Sequence, residues 1–197
     1  MYASEQDSPG VRKQRDEYRC WLEQVDVRNL VFIDEAGIHL GMVRLFARAF
    51  RGQRAVDGVP RNQGTNVSVI GALSLDGLIA SMTLKGSVDT AAFLSYVNDV
   101  LVPQLWIGAI VVMDNLKVHH AHSVRAAIEA VEAQVVFLPP YSPDLSPIEL
   151  CWSKLKQFLR SKAARTDPAL DQAMTEAVHY ITENDALGWF NHCGLFT

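Results

Sequence analysis

An unbroken apolar run at residues 109–113 places the strongest constraint on how this chain folds. A strand without a polar face has no side for water, so we expect it to be buried on both faces. Residues 120–133 follow with helical spacing of apolar side chains, and residues 134–138 predict a second buried strand. The alternation of strand and helix predicts an α/β fold, a mixed sheet flanked by helices.

Apolar periodicity and turn residues define the other elements. Asp76-Gly77 is a two-residue hairpin signal between two strand-like runs. Pro103 should close a helix whose apolar stripe is Phe93, Val97 and Leu101. We predict helices at 11–25, 89–102, 120–133, 147–162 and 168–182, strands at 30–33, 41–50, 67–75, 78–84, 109–113 and 134–138, and a loop rich in glycine and proline at 51–64.

Length and composition indicate an ordinary globular protein. The 197 residues suffice for one domain with a core, and 49% of them are hydrophobic and 20% charged. No apolar run has the length of a membrane span, and the first residues do not resemble a signal peptide. Three scattered cysteines, Cys20, Cys151 and Cys193, argue for a reducing compartment and against a disulfide framework. We therefore expect a cytoplasmic protein.

The net charge of −4 counts against nucleic-acid binding, but the distribution of charge is uneven. Residues 41–65 contain five arginines and one acid, and residues 151–165 contain five basic residues and no acid. Such a segment is most often a solvated face, and that interpretation stays open for each segment alone. Our candidates for phosphate contacts in these segments are Arg44, Arg48, Arg51, Arg54, Lys154 and Lys156.

Three acids occupy positions suited to a divalent metal site. Asp34 and Asp114 each end an apolar strand, and Glu149 follows a proline-rich turn at 139–148. An acid at the exit of a buried strand is costly unless it is paired. Carboxylates are the hard oxygen ligands that Mg²⁺ prefers, and two-metal phosphoryl transfer uses them to bridge cations roughly 3.5–4 Å apart.

Each acid also has a purely structural interpretation. Asp34 can simply end a strand, and Asp114 can cap a helix. Ser146 and Glu149 have the spacing of a capping box. Glu35 should point away from Asp34 because side chains alternate along a strand, so Asp34 is the preferred ligand. Spacing alone does not decide between ligand and cap for Glu149.

Three segments together carry a family resemblance: VFIDEAG at 31–37, VMDNLKVH at 112–119 and LPPYSPDLSPIELCWSKLK at 138–156. They resemble the catalytic core of DDE transposases, and more narrowly the mariner-like bacterial insertion-sequence branch. Thirty-four residues lie between Asp114 and Glu149, which is typical of that group. The proline-tyrosine motif with its downstream glutamate is specific, whereas the first motif alone is weak. The resemblance covers residues 30–160, about two thirds of the chain.

The resemblance implies a ribonuclease-H-like fold and an activity on DNA. The implied activity is cleavage of phosphodiesters at insertion-sequence ends and strand transfer into target DNA, with two Mg²⁺ or Mn²⁺ ions held by Asp34, Asp114 and Glu149. The implied division is an N-terminal helical extension at 1–29, the catalytic domain at 30–165 and a C-terminal helical extension at 166–197. A dimer would be the active form, in the bacterial cytoplasm and associated with the nucleoid.

Two departures from the family pattern affect these expectations. Serine stands at position 146, where asparagine is frequent. Fewer than 35 residues precede Asp34, and they contain no pair of helices for a helix-turn-helix module. We therefore expect a catalytic part that acts with a separate helix-turn-helix subunit or an upstream domain. The alternatives are a stand-alone nuclease or resolvase of the same fold, and an inactive remnant that binds DNA or a partner.

Several neighbouring residues have secondary interpretations. Asn115 and His119 follow the second acid and are candidates to orient water or contact DNA. A zinc site at the histidines near 120 is disfavoured, because no second pair of ligands accompanies them. We expect Tyr141 to pack under its turn and Trp152 to belong to the core rather than to a DNA surface.

Overall fold

The computed structural model describes residues 3–58, 64 and 66–196, so residues 59–63 of the predicted loop lie outside the described part. The described strands are β1 (Leu30–Ile38), β2 (Val67–Ser74), β3 (Gly77–Lys85), β4 (Ile110–Met113) and β5 (Gln134–Phe137). They form a single five-stranded sheet in the order β3-β2-β1-β4-β5. Strand β1 pairs antiparallel with β2 and parallel with β4, and β4 pairs parallel with β5. The mixed sheet predicted from the sequence is confirmed.

Six α-helices accompany the sheet in the described residues: α1 (Pro9–Leu22), α2 (Thr90–Tyr96), α3 (His122–Glu129), α4 (Pro147–Lys162), α5 (Asp167–Tyr180) and α6 (Glu183–His192). The predicted helix at 89–102 continues from α2 as a π-helical turn, Val97–Leu101, and a 3₁₀ turn, Val102–Gln104. Pro103 has no N–H to donate, so a regular α-helix does not extend through it. No described helix has the length and apolarity required to cross a membrane.

The sheet has a hydrophobic core on each face. Phe32 and Leu73 face a layer that includes Leu155 of α4 and Phe190 of α6. Val31 and Ile33, Phe93, Val97 and Leu101 belong to the opposite layer. The central strands are therefore covered on both sides, as their continuous apolar runs predict. The predicted stripe of the helix after β3 is confirmed, since its three residues are fully buried.

The predicted strand at 41–50 is wrong. These residues form an irregular segment, and Leu45, Phe46 and Phe50 are largely exposed. A strand needs a hydrogen-bonding neighbour, and residues 41–50 pair with none of the five described strands, although the outer sides of β3 and β5 carry no further strand. The apolar residues of this segment have a strand-like composition, but composition alone does not supply a partner strand.

Helix α6 was not predicted, although its start carries a readable signal. Thr182 accepts a hydrogen bond from the backbone N–H of Asp185, and the Asp185 carboxylate accepts one from the backbone N–H of Thr182. This is a capping box with aspartate in place of the usual glutamate or glutamine. The helix packs Ala186 and Phe190 into the core, so Phe190 of the C-terminal tail contributes to the fold.

The N-terminal segment holds the turn that leads into α4. Arg15 of α1 is 7% exposed, and its guanidinium donates to both carboxylate oxygens of Asp144 at 2.9 and 2.6 Å and to Ser142 Oγ at 2.7 Å. Gln6 donates to the backbone oxygen of Tyr141 at 3.0 Å. Tyr141 has a positive φ of 55°, a conformation that non-glycine residues rarely adopt without support. The turn is therefore kept in place by residues far from it in sequence.

Replacing Arg15 by Met should destabilise the protein by about 1–3 kcal/mol near neutral pH, because Ser142 and Asp144 lose a buried charged donor. The side-chain hydrogen bond from Arg15 lowers the pKa of Asp144 from its ordinary value of 3.8. A lowered pKa gives stabilisation that is complete above the unfolded value and is lost as the pH falls through the folded value. Urea unfolding should thus show a difference in the free energy of unfolding between the unaltered protein and Arg15→Met, and this difference should become smaller below about pH 4.

Arg19→Met is the matched control, because Arg19 also lies on α1 but is exposed, and within the described residues its ion pair is with Asp16, at 3.5 Å. Its effect should stay within about 0.5 kcal/mol at every pH. Equal losses for the two variants, or a loss at Arg15 that does not depend on pH, would contradict the role assigned to the Arg15–Asp144 pair.

Candidate active site

The three acids singled out in the sequence line one pocket. Asp34 belongs to β1, Asp114 directly follows β4, and Glu149 lies in the first turn of α4. Asn115 and the turn at 139–143 complete much of the wall, and the pocket has a volume of about 350 Å³. The parallel register pairs Phe32 with Val112. Continued by two residues, this register places Asp34 of β1 next to Asp114, at the carboxyl end of β4.

Asp34 is held from the side by an indole. Trp152 Nε1 of α4 donates to Asp34 Oδ2 at 3.0 Å. Burial raises the pKa of Asp34 to about 7, and the backbone N–H of Glu35 and the indole N–H, which favour the charged form, oppose this rise. The negative charges of Glu149 and Glu35 also contribute to the rise. Asp34 is therefore an acid in an environment that would accept a nearby positive charge.

Gly71 makes space for this indole. It pairs with Asp34 in the register of β1 and β2. A Cβ at position 71 would lie 2.6 Å from the Trp152 ring and 3.0 Å from Leu78. The ring thus reaches Asp34 only because β2 has no side chain at this point. The prediction that Trp152 belongs to the core is confirmed by its 2% exposure, and its N–H has a role at the site as well.

Asp114 is held by His119. His119 Nδ1 lies 2.7 Å from Asp114 Oδ1, and the backbone N–H of Leu116 donates to the same oxygen at 2.9 Å. Burial alone would raise the pKa of Asp114, but the bonds from His119 and Leu116 lower it below its ordinary value. Burial also lowers the pKa of His119, yet its bonds to Asp114 and Glu35 outweigh burial and raise it to about 9. Asp114 is thus kept ionised beside a protonated imidazole.

Glu149 projects from the start of a helix without the capping box that the sequence suggested. Ser146 is the N-cap residue of α4, but its side chain makes no capping hydrogen bond. The backbone N–H of Glu149 donates instead to the backbone oxygen of Ser146 at 3.2 Å. The capping interpretation of Glu149 is therefore wrong. Its carboxylate lies near the positive end of the helix dipole, exposed and beside the pocket.

The remaining candidate residues separate into three groups. Asn115 donates to the backbone oxygen of Leu138 at 2.6 Å, so it links the ends of β4 and β5. His119 has a fully buried side chain, which leaves it no surface for a contact with DNA. Tyr141, expected under its turn, is 51% exposed and lies on the surface instead.

The basic candidates differ in their environment. Arg44, Arg48, Arg51 and Arg54 are all exposed on the irregular segment after β1. Lys154 instead forms an ion pair with Asp185 and lies 4.4 Å from the centre of the Tyr180 ring. Lys154 therefore links α4 to the C-terminal helices α5 and α6. Lys156, also on α4, is half-exposed.

The acids fit a divalent cation by their chemistry and position. All three are hard oxygen donors, and all three line the same pocket. Within the described residues, no three His, Cys, Asp or Glu side chains are close enough to form a ready-made cation site. The negative charge of Glu149 contributes to the raised pKa of Asp34, and a bound cation would offset this repulsion.

Residues 29–171 match the sequence profile of the family described as DDE superfamily endonuclease. The chain belongs to this family. No curated protein sequence matches the chain.

The fold is similar to solved transposase structures. A Mos1 transposase paired-end complex with left transposon end matches with a TM-score of 0.80 and 18% identity, over 98% of this chain and 61% of that chain. A Mos1 mariner paired end complex with Mn matches at 0.78 and 17%, over 95% and 60%. The catalytic domain of Mos1 mariner transposase matches at 0.69 and 15%, over 94% and 89%. The chain thus spans about 60% of the first two chains, and the likeness establishes the ribonuclease-H-like fold.

Three residues that support the candidate acids were not assigned a functional role from the sequence. Trp152 contacts Asp34, Glu35 contacts His119, and Arg15 holds the turn before Glu149. Glu35 points away from Asp34 as alternation predicts, and this orientation takes it to His119. Only Arg15 lies outside the segment that matches the family profile. No local motif marks it, because its partners lie more than 120 residues away.

Gly71→Ala should destabilise the protein by about 1–3 kcal/mol, because the new methyl group overlaps the buried Trp152 ring. Displacing the ring would also remove its hydrogen bond to Asp34. We expect a lower urea midpoint and a changed near-ultraviolet circular dichroism spectrum. Gly37→Ala is the control, since a Cβ at position 37 of β1 has no atom within 4 Å. A Gly71→Ala protein as stable as Gly37→Ala would show that the indole is not confined.

Proposed function

We propose that this chain is the catalytic part of a DNA transposase that cleaves phosphodiesters at insertion-sequence ends and transfers the strands to target DNA. One observation carries the proposal. Asp34, Asp114 and Glu149 are widely separated in sequence, and they line a single pocket in a member of the DDE superfamily endonuclease family. Solved structures of similar fold are complexes of Mos1 transposase with a transposon end and with Mn or Mg.

The proposed cofactor is a pair of Mg²⁺ or Mn²⁺ ions held by the three acids. When bound, two such ions supply activation of the attacking hydroxyl and charge stabilisation at the leaving oxygen. Asp34 would contribute a carboxylate that Trp152 orients. Asp114 would contribute Oδ2, because its other oxygen already accepts two hydrogen bonds. Glu149 would close the site from the rigid start of α4.

The basic segments support a path for the DNA backbone. A groove outside the acid pocket is lined by Arg44 of the irregular segment and by Arg160 of α4. The two basic segments that are distant in the sequence therefore border one surface. We propose that the arginines of residues 44–54, with Lys156, contact phosphates, which position DNA without reading its sequence. Asn115, beside Asp114, is the proposed contact nearest to the reacting phosphate.

The recognition of specific DNA ends would need a further DNA-binding part. We propose a helix-turn-helix subunit or upstream domain as that partner, and a dimer as the active form, since two element ends must be joined. The proposed setting is the bacterial cytoplasm, at the nucleoid. A stand-alone nuclease or resolvase is the alternative. Such an enzyme would cut DNA without joining the ends to a target, so the strand-transfer product distinguishes it from a transposase.

Glu149→Gln should abolish Mn²⁺-dependent cleavage of plasmid DNA and weaken Mn²⁺ binding, because the neutral amide lacks the negative charge that the carboxylate offers to a divalent cation. The change in stability should remain below about 1 kcal/mol, the scale of a helix-dipole interaction at an exposed site. Cleavage is measured by conversion of supercoiled to nicked DNA, and binding by the electron paramagnetic resonance signal of free Mn²⁺.

Glu183→Gln is the matched control, an exposed acid in the first turn of another helix, α6. It should cleave and bind Mn²⁺ as the unaltered protein does. Full cleavage by the Glu149→Gln protein would refute its ligand role. An unaltered protein that fails to cleave, even when joined to a helix-turn-helix module on DNA carrying terminal inverted repeats, would favour the inactive remnant.

The double variant Arg44→Ala with Arg48→Ala should weaken binding to duplex DNA at every sequence tested. Each lost phosphate contact should reduce the slope of log affinity against log salt by about 0.9, so the pair should reduce it by about 2. Fluorescence anisotropy between about 50 and 200 mM salt measures the slope. Arg125→Ala removes an exposed arginine paired with Glu129 on α3 and should leave the slope unchanged. Equal slopes in all three proteins would exclude the proposed path.

A further inference from the structure

His119 is a buried ionisable residue that the proposed DNA chemistry does not itself require. Its side chain has no exposed area, and the Phe93 ring lies 4.6 Å from it between ring centres. A carboxylate stands at each nitrogen: Asp114 Oδ1 at 2.7 Å from Nδ1, and Glu35 Oε1 at 3.0 Å from Nε2. With an acceptor at both nitrogens, the imidazole is fixed in position and in the plane of its ring.

The contact with Asp114 uses one carboxylate oxygen. Oδ1 accepts from His119 Nδ1 and from the backbone N–H of Leu116, and neither contact uses Oδ2. Two donors from different directions fix the side-chain rotation of Asp114. The oxygen outside these contacts then has a defined position at the pocket, where the Asp114 side chain is 43% exposed.

Glu35 is the unusual member of this chain of contacts. Its side chain is 14% exposed, and Oε2 is buried without a hydrogen-bond partner in the described part of the protein. A buried carboxylate oxygen without a donor is unfavourable for folding. Stability alone therefore does not account for a glutamate at this position, whereas its other oxygen has a specific task, to accept from His119.

We propose that Glu35 and His119 are positioning residues for Asp114, Glu35 by orienting the imidazole and His119 by holding Oδ1 so that Oδ2 is presented to a cation. The proposal rests on the proposed function, in which Asp114 is a metal ligand. Partners that orient a ligand in this way commonly change metal affinity 10–100-fold when they are removed.

The placement of these residues explains why two adjacent acids occupy β1. Asp34 and Glu35 point to opposite faces of the sheet, towards Trp152 and His119 respectively. Asp34 lines the pocket directly. Glu35 lies on the opposite face of the sheet and influences the pocket only through its contact with His119, which in turn contacts Asp114. Strand β1 therefore carries Asp34 itself and, through Glu35, also supports Asp114.

Titration with Mn²⁺ alone, followed by electron paramagnetic resonance, tests the proposal without requiring DNA cleavage. His119→Asn places an amide donor where Nδ1 was and loses the contact with Glu35. His119→Gln reaches the position of Nε2 and loses the contact with Asp114. We expect about 100-fold weaker Mn²⁺ binding for His119→Gln, which loses the direct contact with Asp114, and about tenfold weaker binding for His119→Asn, which loses only the contact with Glu35. A merely structural histidine would give the two variants equal losses, and that result would overturn the proposal.

A second pair of variants keeps the test decisive if changes at His119 prevent folding. Glu35→Gln retains an acceptor for Nε2, whereas Glu35→Met has a similar length and no oxygen. Glu35→Met should weaken Mn²⁺ binding about tenfold, and Glu35→Gln should retain most of the affinity. Affinity unchanged in Glu35→Met would overturn the role of Glu35.

Glu149→Gln, measured in the same titration, separates the two levels of inference. Weaker Mn²⁺ binding in Glu149→Gln, with unchanged binding in Glu35→Met and His119→Gln, would leave the proposed function standing and refute the positioning role. Unchanged binding in Glu149→Gln would refute the ligand role of Glu149 in the proposed function, whatever the other variants show.

Discussion

The parallel pairing of β1 with β4 is the constraint on which the candidate site depends. The two strands lie side by side, about 4.8 Å apart, and both run towards the same edge of the sheet. Asp34, in the middle of β1, and Asp114, directly after β4, are brought together by backbone pairing rather than by any attraction between the acids. The apolar cores on the two faces of the sheet fix this pairing, so the repulsion between nearby carboxylates is opposed by the whole domain.

Each acid has its own means of support, and the three come from different directions. Trp152 of α4 bonds Asp34, His119 bonds Asp114, and Arg15 of α1 holds the turn that precedes Glu149. In the proposed function these carboxylates meet cations and DNA, and fixed positions would avoid a costly reorganisation during the reaction. The supports account for several buried polar groups that would otherwise weaken the fold.

The local sequence pattern predicted most of the helices and strands, but not which other parts of the chain they pair with or pack against. The buried strands and the helix with Phe93, Val97 and Leu101 follow from periodicity, because burial of apolar side chains imposes a repeat that the chain itself displays. The strand expected at 41–50 failed for the opposite reason. Its residues suit a strand, but pairing requires a partner strand, and no local pattern reports whether the folded chain brings one alongside.

The sequence by itself determined the family, the choice of the three candidate acids and the alternation that separates Asp34 from Glu35. These depend on residue type and spacing, which are local properties. Only the tertiary structure decided that Glu149 is not a capping residue, that Lys154 is paired with Asp185, and that Arg15 and Glu35 support the acid site. Such roles depend on which distant side chain lies within hydrogen-bonding distance, and that is settled only when helices pack on the sheet.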